Sequence, residues 1–169
     1  MKKIYITTGT REYLQSLKEG FPNEKMLLLE EEDGAALLHE TEGETVFKQP
    51  LRYEVLDAVG QLDGTFVVCN NIPVTDEGRP LFEYRFSQRA RLIEKEPGFA
   101  AIRVLRPLDN DTYIIMTLWE GKEYFEAWQR SKAFEKAHER KEADKPTSER
   151  PQIFPRPSYI KTYTVLKGN

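Results

Sequence analysis

Two β-α-β-β patterns follow one another along this chain, a repeat of pattern that suggests a doubled shape. Residues 3–8 (Lys-Ile-Tyr-Ile-Thr-Thr) are rich in β-branched and aromatic side chains and end at Gly9, as a strand does. After Thr10, Tyr13, Leu14, Leu17 and Phe21 recur at three-to-four spacing until Pro22-Asn23 stops the helix. Met26–Glu30, Ala35–Glu40 and Val46–Val55 read as short strands, parted by Asp33-Gly34 and by the Glu42-Gly43-Glu44 turn. From Thr65 the order restarts with a strand, Phe66–Val74. A helix over Glu77–Glu94, carrying Leu81, Phe82, Tyr84, Phe86, Ala90 and Ile93, ends at Pro97-Gly98. Ala101–Leu105 and Tyr113–Trp119 then form a hairpin around Asp109-Asn110-Asp111. The halves share a pattern without residue-level identity.

The second copy continues further. Lys122–Gln129 is helical, and Ser131, a favourable N-cap residue, opens a second helical segment over Lys132–Arg140, so a bend is expected there. Residues 141–158 hold four prolines among alternating charges and read as an extended, mobile loop, a candidate lid. Tyr159–Leu166 closes the chain as a last strand.

Composition removes several classes of function. With 39% hydrophobic and 31% charged residues the chain should fold, and a net charge of −3 without a basic stripe argues against nucleic-acid and membrane-surface partners. The early apolar run Ile4-Tyr5-Ile6 is far too short for a secretory signal or a membrane span, and no later stretch is long enough. A single cysteine, Cys69, excludes an intramolecular disulfide framework and suits a reducing compartment, so a cytoplasmic location is expected.

Chemistry at a metal or near neutral pH usually wants a histidine, and there are two. His39 lies in a short strand beside an acidic turn and reads as a solvated edge position. His138 borders an apolar helical stripe with Phe134 and Ala137, which suits a structural role or an iron ligand. One such histidine is too few for the usual protein-only catalytic zinc site, but it is enough for a haem, which needs one axial imidazole. Trp128, ten residues earlier, serves either a core or a pocket. Asn70 shares a strand face with Phe66, Val68 and Ile72; a buried amide there needs a hydrogen-bond partner, from a backbone irregularity or from a ligand. Cys69 and Asn71 point the other way. Nucleotide-binding loops and a G-x-S-x-G elbow are absent from the sequence.

Asn70, Trp128 and His138, in the settings FVVCNNIPV, WEGKEYFEAWQRSKAFEKAHE and SYIKTYTVL, resemble the IsdG-like haem-degrading monooxygenases of the antibiotic biosynthesis monooxygenase superfamily. The likeness covers residues 65–166 and rests on the W-x9-H spacing, an aromatic residue four before the histidine, and the first-strand asparagine. It implies a ferredoxin-like α+β fold, with residues 63–169 as the monooxygenase domain and residues 1–62 as an N-terminal β-α-β-β extension. Members usually pair sheet to sheet as dimers around a β-barrel. The extension is expected to take the partner's place, giving a pseudo-dimeric α+β barrel in a monomer, with a homodimer as the alternative.

The resemblance also implies roles. His138 matches the proximal ligand of the haem iron, Asn70 the distal amide that donates to an oxygen ligand, and Trp128 the bulky residue that ruffles the porphyrin. Haem would be both substrate and cofactor, O2 the oxidant, and a reductase or small reductant the external electron donor, with ring opening and release of iron. Two other activities fit the same residues: a haem carrier or sensor without turnover, and a cofactor-free monooxygenase acting on a quinol-like substrate. Where the family often has a basic residue after the strand asparagine, this chain has Asn71, which leaves propionate contacts unassigned.

Overall fold

A computed structural model describes the backbone of residues 2–89, 91–138 and 153–167, and their side chains apart from 132–138. Among these residues the doubled order appears as β1 (Lys3–Gly9), α1 (Arg11–Glu19), β2 (Lys25–Glu31), β3 (Gly34–Thr41) and β4 (Leu51–Val59). It continues as β5 (Phe66–Pro73), α2 (Arg79–Ser87), β6 (Phe99–Pro107), β7 (Thr112–Trp119), α3 (Lys122–His138) and β8 (Tyr159–Leu166), with a 3-10 turn at Leu92–Lys95.

The strands close into a barrel in the order β1-β3-β2-β8-β5-β7-β6-β4. In it β4-β1-β3-β2 and β8-β5-β7-β6 are each contiguous, so both halves set four antiparallel strands in the same ferredoxin-like order. The expected pseudo-dimeric α+β barrel is the fold of this chain. Two seams join the halves: β2 with β8, from Leu28↔Leu166 to Glu30↔Thr164, and β4 with β6, from Tyr53↔Pro107 to Val59↔Ile102.

Strand alternation sends one set of side chains inward, among them Ile4, Leu27, Leu29, Leu38, Val67, Cys69, Leu105, Met116 and Leu118, and these fill the barrel. Arg103 lies between Ala101 and Leu105 on that inward face, where its Nε donates to Glu40 at 2.6 Å and its Nη1 to the carbonyls of Val59 and Ile102. The buried cation is thus both paired and hydrogen-bonded, as its desolvation requires.

The outward faces differ between halves. Over β1–β3, α1 is started by Thr10, whose side chain accepts from the Tyr13 amide, and it lays Leu14 and Leu17 on Tyr5, Met26, Leu28, Ala35 and Leu37. Fully burying Leu14 alone contributes about 2 kcal/mol. Phe47, from the connection between β3 and β4, completes that cover. Over β5–β7 the cover is α2, the 3-10 turn and α3, and it leaves a space.

Four local expectations are corrected. The strand expected at Val46–Val55 is β4, Leu51–Val59; Pro50 cannot donate to a ladder, and Phe47 is drawn off to close the neighbouring core. The helix expected over Glu77–Glu94 stops at Ser87, because Arg91 takes a left-handed φ of 55° and Arg89 and Arg91 turn to reach Asp57 and Glu94. The second helical segment expected to open at Ser131 is not separate: α3 runs unbroken through it, since an exposed serine amid strong helix formers competes weakly with the backbone. His39 is not a solvated edge residue. It is fully buried in β3 between β1 and β2, stacked near Tyr5 and Phe47, with its two ring nitrogens 3.1 Å from Thr45 Oγ1 and 3.0 Å from Glu24 Oε1. Of the loop expected at 141–158, residues 141–152 lie outside the described residues; Ile153 beyond them is buried against Val74, Phe82 and Tyr113.

Candidate functional site

A cavity of about 570 Å3 lies on the outward face of the second half. Val68, Asn70 and Ile72 of β5, Ile115 and Thr117 of β7, Ile102 of β6 and Ile160 of β8 form its floor. Phe86 of α2, Arg89, and Arg91, Leu92 and Ile93 around the 3-10 turn make one wall, and Phe125, Trp128 and Gln129 of α3 the other. Mostly apolar walls with a few convergent polar groups are the usual make-up of a small-molecule site.

Asn70 reaches the floor by regular strand geometry. It is paired with Ile115 on one side and Ile160 on the other, without a bulge. Its amide makes no hydrogen bond to another described residue, so the backbone does not explain this amide on an otherwise apolar face. Cys69 faces into the barrel, where burial pushes its thiol up to about 12, and it cannot present a thiolate to the cavity. Asn71 also faces inward, and its Nδ2 donates to the Cys69 carbonyl at 3.1 Å.

Trp128 is half-buried and is held by an aromatic cluster: its ring centroid lies 5.9 Å from Trp119 and 6.2 Å from Phe125, with Phe66 and Phe99 beside them. Trp119 Nε1 donates to Thr117 Oγ1 at 3.0 Å, which ties the cluster to the cavity floor. Asn70 and Trp128 therefore line one space. His138 is the last residue of α3, the helix that carries Trp128; its side chain lies outside the described residues.

Three groups at the cavity were not singled out from the sequence. Arg89 and Arg91 form a crossed ionic cluster with Asp57 and Glu94, at 2.9 and 3.1 Å from Arg89 and 3.1 and 3.2 Å from Arg91. The Nε of Arg89 is buried without a hydrogen-bond partner among the described residues, so one donor there has an unmet demand. Their signal was two basic residues inside the last turns of the expected helix, which also read as its solvated face. Thr117 is the third, hidden in an apolar strand run.

α2 is fixed to the sheet by a separate network. Glu83 accepts from Arg106 Nε at 3.0 Å and Nη2 at 2.5 Å, and from the Tyr113 hydroxyl; Arg106 also reaches Glu54 at 3.0 Å. Hydrogen bonding to Arg106, helped by Tyr113, holds the Glu83 carboxyl below its ordinary range. Burial, together with the neighbouring carboxylate, raises the Tyr113 phenol.

The family model for antibiotic biosynthesis monooxygenase matches residues 65–140, the stretch from β5 into the end of α3. The chain is 28% identical over 132 residues to a heme-degrading monooxygenase of Listeria monocytogenes, covering 78% of this chain and 79% of that one. It is 30% identical over 135 residues to the signal transduction protein TRAP of Staphylococcus aureus, covering 79% and 81%. Among solved structures, a major regulator of staphylococcal pathogenesis superposes with a TM-score of 0.82 at 25% identity, over 98% of this chain and 100% of that one. The heme-degrading enzyme LmHde of Listeria monocytogenes shares the fold, with a TM-score of 0.68 at 23% identity over 96% and 98%. Matched across the half that holds the cavity, and related over four-fifths of its length, this chain belongs to the antibiotic biosynthesis monooxygenase family.

Proposed function

We propose that this chain binds haem in the cavity over β5 and β7 and degrades it, opening the porphyrin ring with O2 and externally supplied electrons and releasing iron. The observation that carries the reading is that Asn70 of β5 and Trp128 of α3, far apart in sequence, line one cavity beneath the helix that ends at His138. Haem, when bound, supplies the iron at which O2 is activated and is itself the molecule oxidised. The chain's residues suit such a guest. The floor is apolar except for the Asn70 amide and the Thr117 hydroxyl, and among the described residues the amide and the Nε–H of Arg89 at the wall have no hydrogen-bond partner, so that Nε–H is one toward which an anionic arm can turn.

In this reading His138 holds the iron through a neutral imidazole. The Asn70 amide would donate a hydrogen bond to an oxygen ligand of the iron without competing as a strong ligand itself. Trp128, held by Trp119 and Phe125, would be the bulky side chain that bears on a bound macrocycle. On one unbroken helix Trp128 and His138 are separated by about 15 Å of rise and about 80° of turn. A ligand touched by both is therefore broad, as a tetrapyrrole is. We take residues 63–169 as the unit that carries this chemistry, residues 1–62 as its closing half, the electron donor as a reductase or small reductant, and the location as cytoplasmic. The name of the heme-degrading relative from Listeria supports the substrate. Likeness to the signal transduction protein TRAP favours a second reading, a haem sensor or carrier without turnover.

Titration with haem, followed by a reductant in air, tests both. A Soret shift that is lost in His138→Ala, followed by bleaching in the wild type, is the expected result. Asn70→Ala should still bind but bleach about tenfold more slowly, the loss of one hydrogen bond to the reacting ligand. No Soret shift would overturn haem binding, and a stable Soret band under reductant and air would favour the sensor.

A further inference from the structure

Thr117 is 6% exposed and stands on the cavity floor, facing outward from β7 between Ile115 and Trp119. Among the described residues its hydroxyl has one partner, the Trp119 indole at 3.0 Å. An indole N–H only donates, so the threonine oxygen accepts in that bond and keeps its own proton to give. No described residue accepts that proton. A buried donor left over in a cavity wall calls for an acceptor, and the neighbouring floor positions Val68, Ile115 and Ile102 offer none.

Register places this donor beside Asn70. Thr117 pairs with Val68 and Asn70 with Ile115, so Thr117 and Asn70 are diagonal neighbours on one face, with Cβ atoms about 7 Å apart. We propose that the Thr117 hydroxyl is a second hydrogen-bond donor to the bound ligand, set beside the Asn70 amide so that both point at one electron-rich atom or pair of atoms between them. The indole bond does two things for it. It fixes which side of the oxygen is occupied, which turns the O–H away from Trp119, and it polarises the hydroxyl into a stronger donor. Trp119 is thus a positioning residue: it does not line the cavity, but it orients a group that does, and it also supports Trp128.

This inference rests on the haem reading, and the test separates the two. Wild type, Thr117→Val, Thr117→Ser and Asn70→Ala are loaded with haem, reduced and exposed to carbon monoxide, and the C–O stretching band is recorded by infrared or resonance Raman spectroscopy. A distal donor lowers that frequency. Thr117→Val is expected to raise it, Thr117→Ser to restore it, and aerobic bleaching to fall about tenfold in Thr117→Val but not in Thr117→Ser. If Thr117 serves only as an acceptor for Trp119, the valine variant loses stability while its C–O band stays at the wild-type position. That result, with Asn70→Ala shifting the band, overturns the proposal and leaves haem binding intact. Absence of a Soret shift in the wild type overturns both.

Discussion

At the scale of single residues, the chain shows how far side-chain type and alternation carry. Asn70 is legible because an amide on an alternating apolar face needs a reason, and alternation alone separates it from Cys69 and Asn71. His39 misleads for a related cause. Its neighbours Leu38 and Glu40 and the acidic turn after it suggest solvent, but its partners Glu24 and Thr45 lie 15 and 6 residues away and no local pattern announces them. Thr117 is silent in sequence because a threonine in a strand is ordinary; what singles it out is that Trp119 occupies its acceptor side. Gly98 is legible as a helix stop, yet its requirement is stricter. It has φ +80°, and a Cβ there would lie 2.1 Å from Tyr124 Cγ and 2.5 Å from Tyr124 Cβ. Gly98→Ala should destabilise the chain by about 1–2 kcal/mol through the backbone alone, and displace the first turn of α3 as well. Urea unfolding followed by tryptophan fluorescence measures this; a midpoint within error of wild type would refute the strain.

At the scale of elements, the places where sequence pattern fails are those where long-range partners decide. Apolar spacing continues through residue 94, but the chain leaves the helix at Ser87 because two arginines turn to share Asp57 and Glu94. Ser131 is a good cap that never acts as one, since nothing beside it interrupts the hydrogen-bonded ladder of α3. α2 is placed by Glu83, and its ionisation makes the attachment pH-dependent. Because the folded carboxyl titrates below its ordinary value of about 4.3, its contribution is fully present above that pH and is lost as pH falls through the lowered folded value. Glu83→Gln should therefore cost about 1–2 kcal/mol at pH 7, and much less at pH 3, where the wild-type group takes up its proton on unfolding. Denaturant titrations at the two pH values check this. An equal deficit at both would mean that the charge of Glu83 is not what holds α2.

For the whole molecule, the doubled β-α-β-β order was the strongest signal in the sequence, and it determines how the barrel closes. Each half alone would expose two sheet edges, which is a standing invitation to pair with another chain. Here β2 meets β8 and β4 meets β6 within one chain, so the pairing that would join two subunits is already made. The halves then diverge in what covers them. The outward face of β1–β3 is filled by Leu14, Leu17 and Phe47, and buries His39 with both ring nitrogens engaged, whereas the corresponding face of β5–β7 keeps about 570 Å3 open. A chain with one filled and one open face should carry one site and need no second copy to complete it. The expected outcome is a mass near 19.7 kDa by light scattering and, in titration, a single equivalent of haem per chain. A stable species of twice that mass, dissociating only with loss of the site, would show that the internal seams do not replace the intersubunit ones. Two equivalents per chain would place a second ligand either in the same cavity or under α1. Phe47→Ala, which uncovers only the first face, separates those cases, because it changes the stoichiometry only if the second ligand lies under α1.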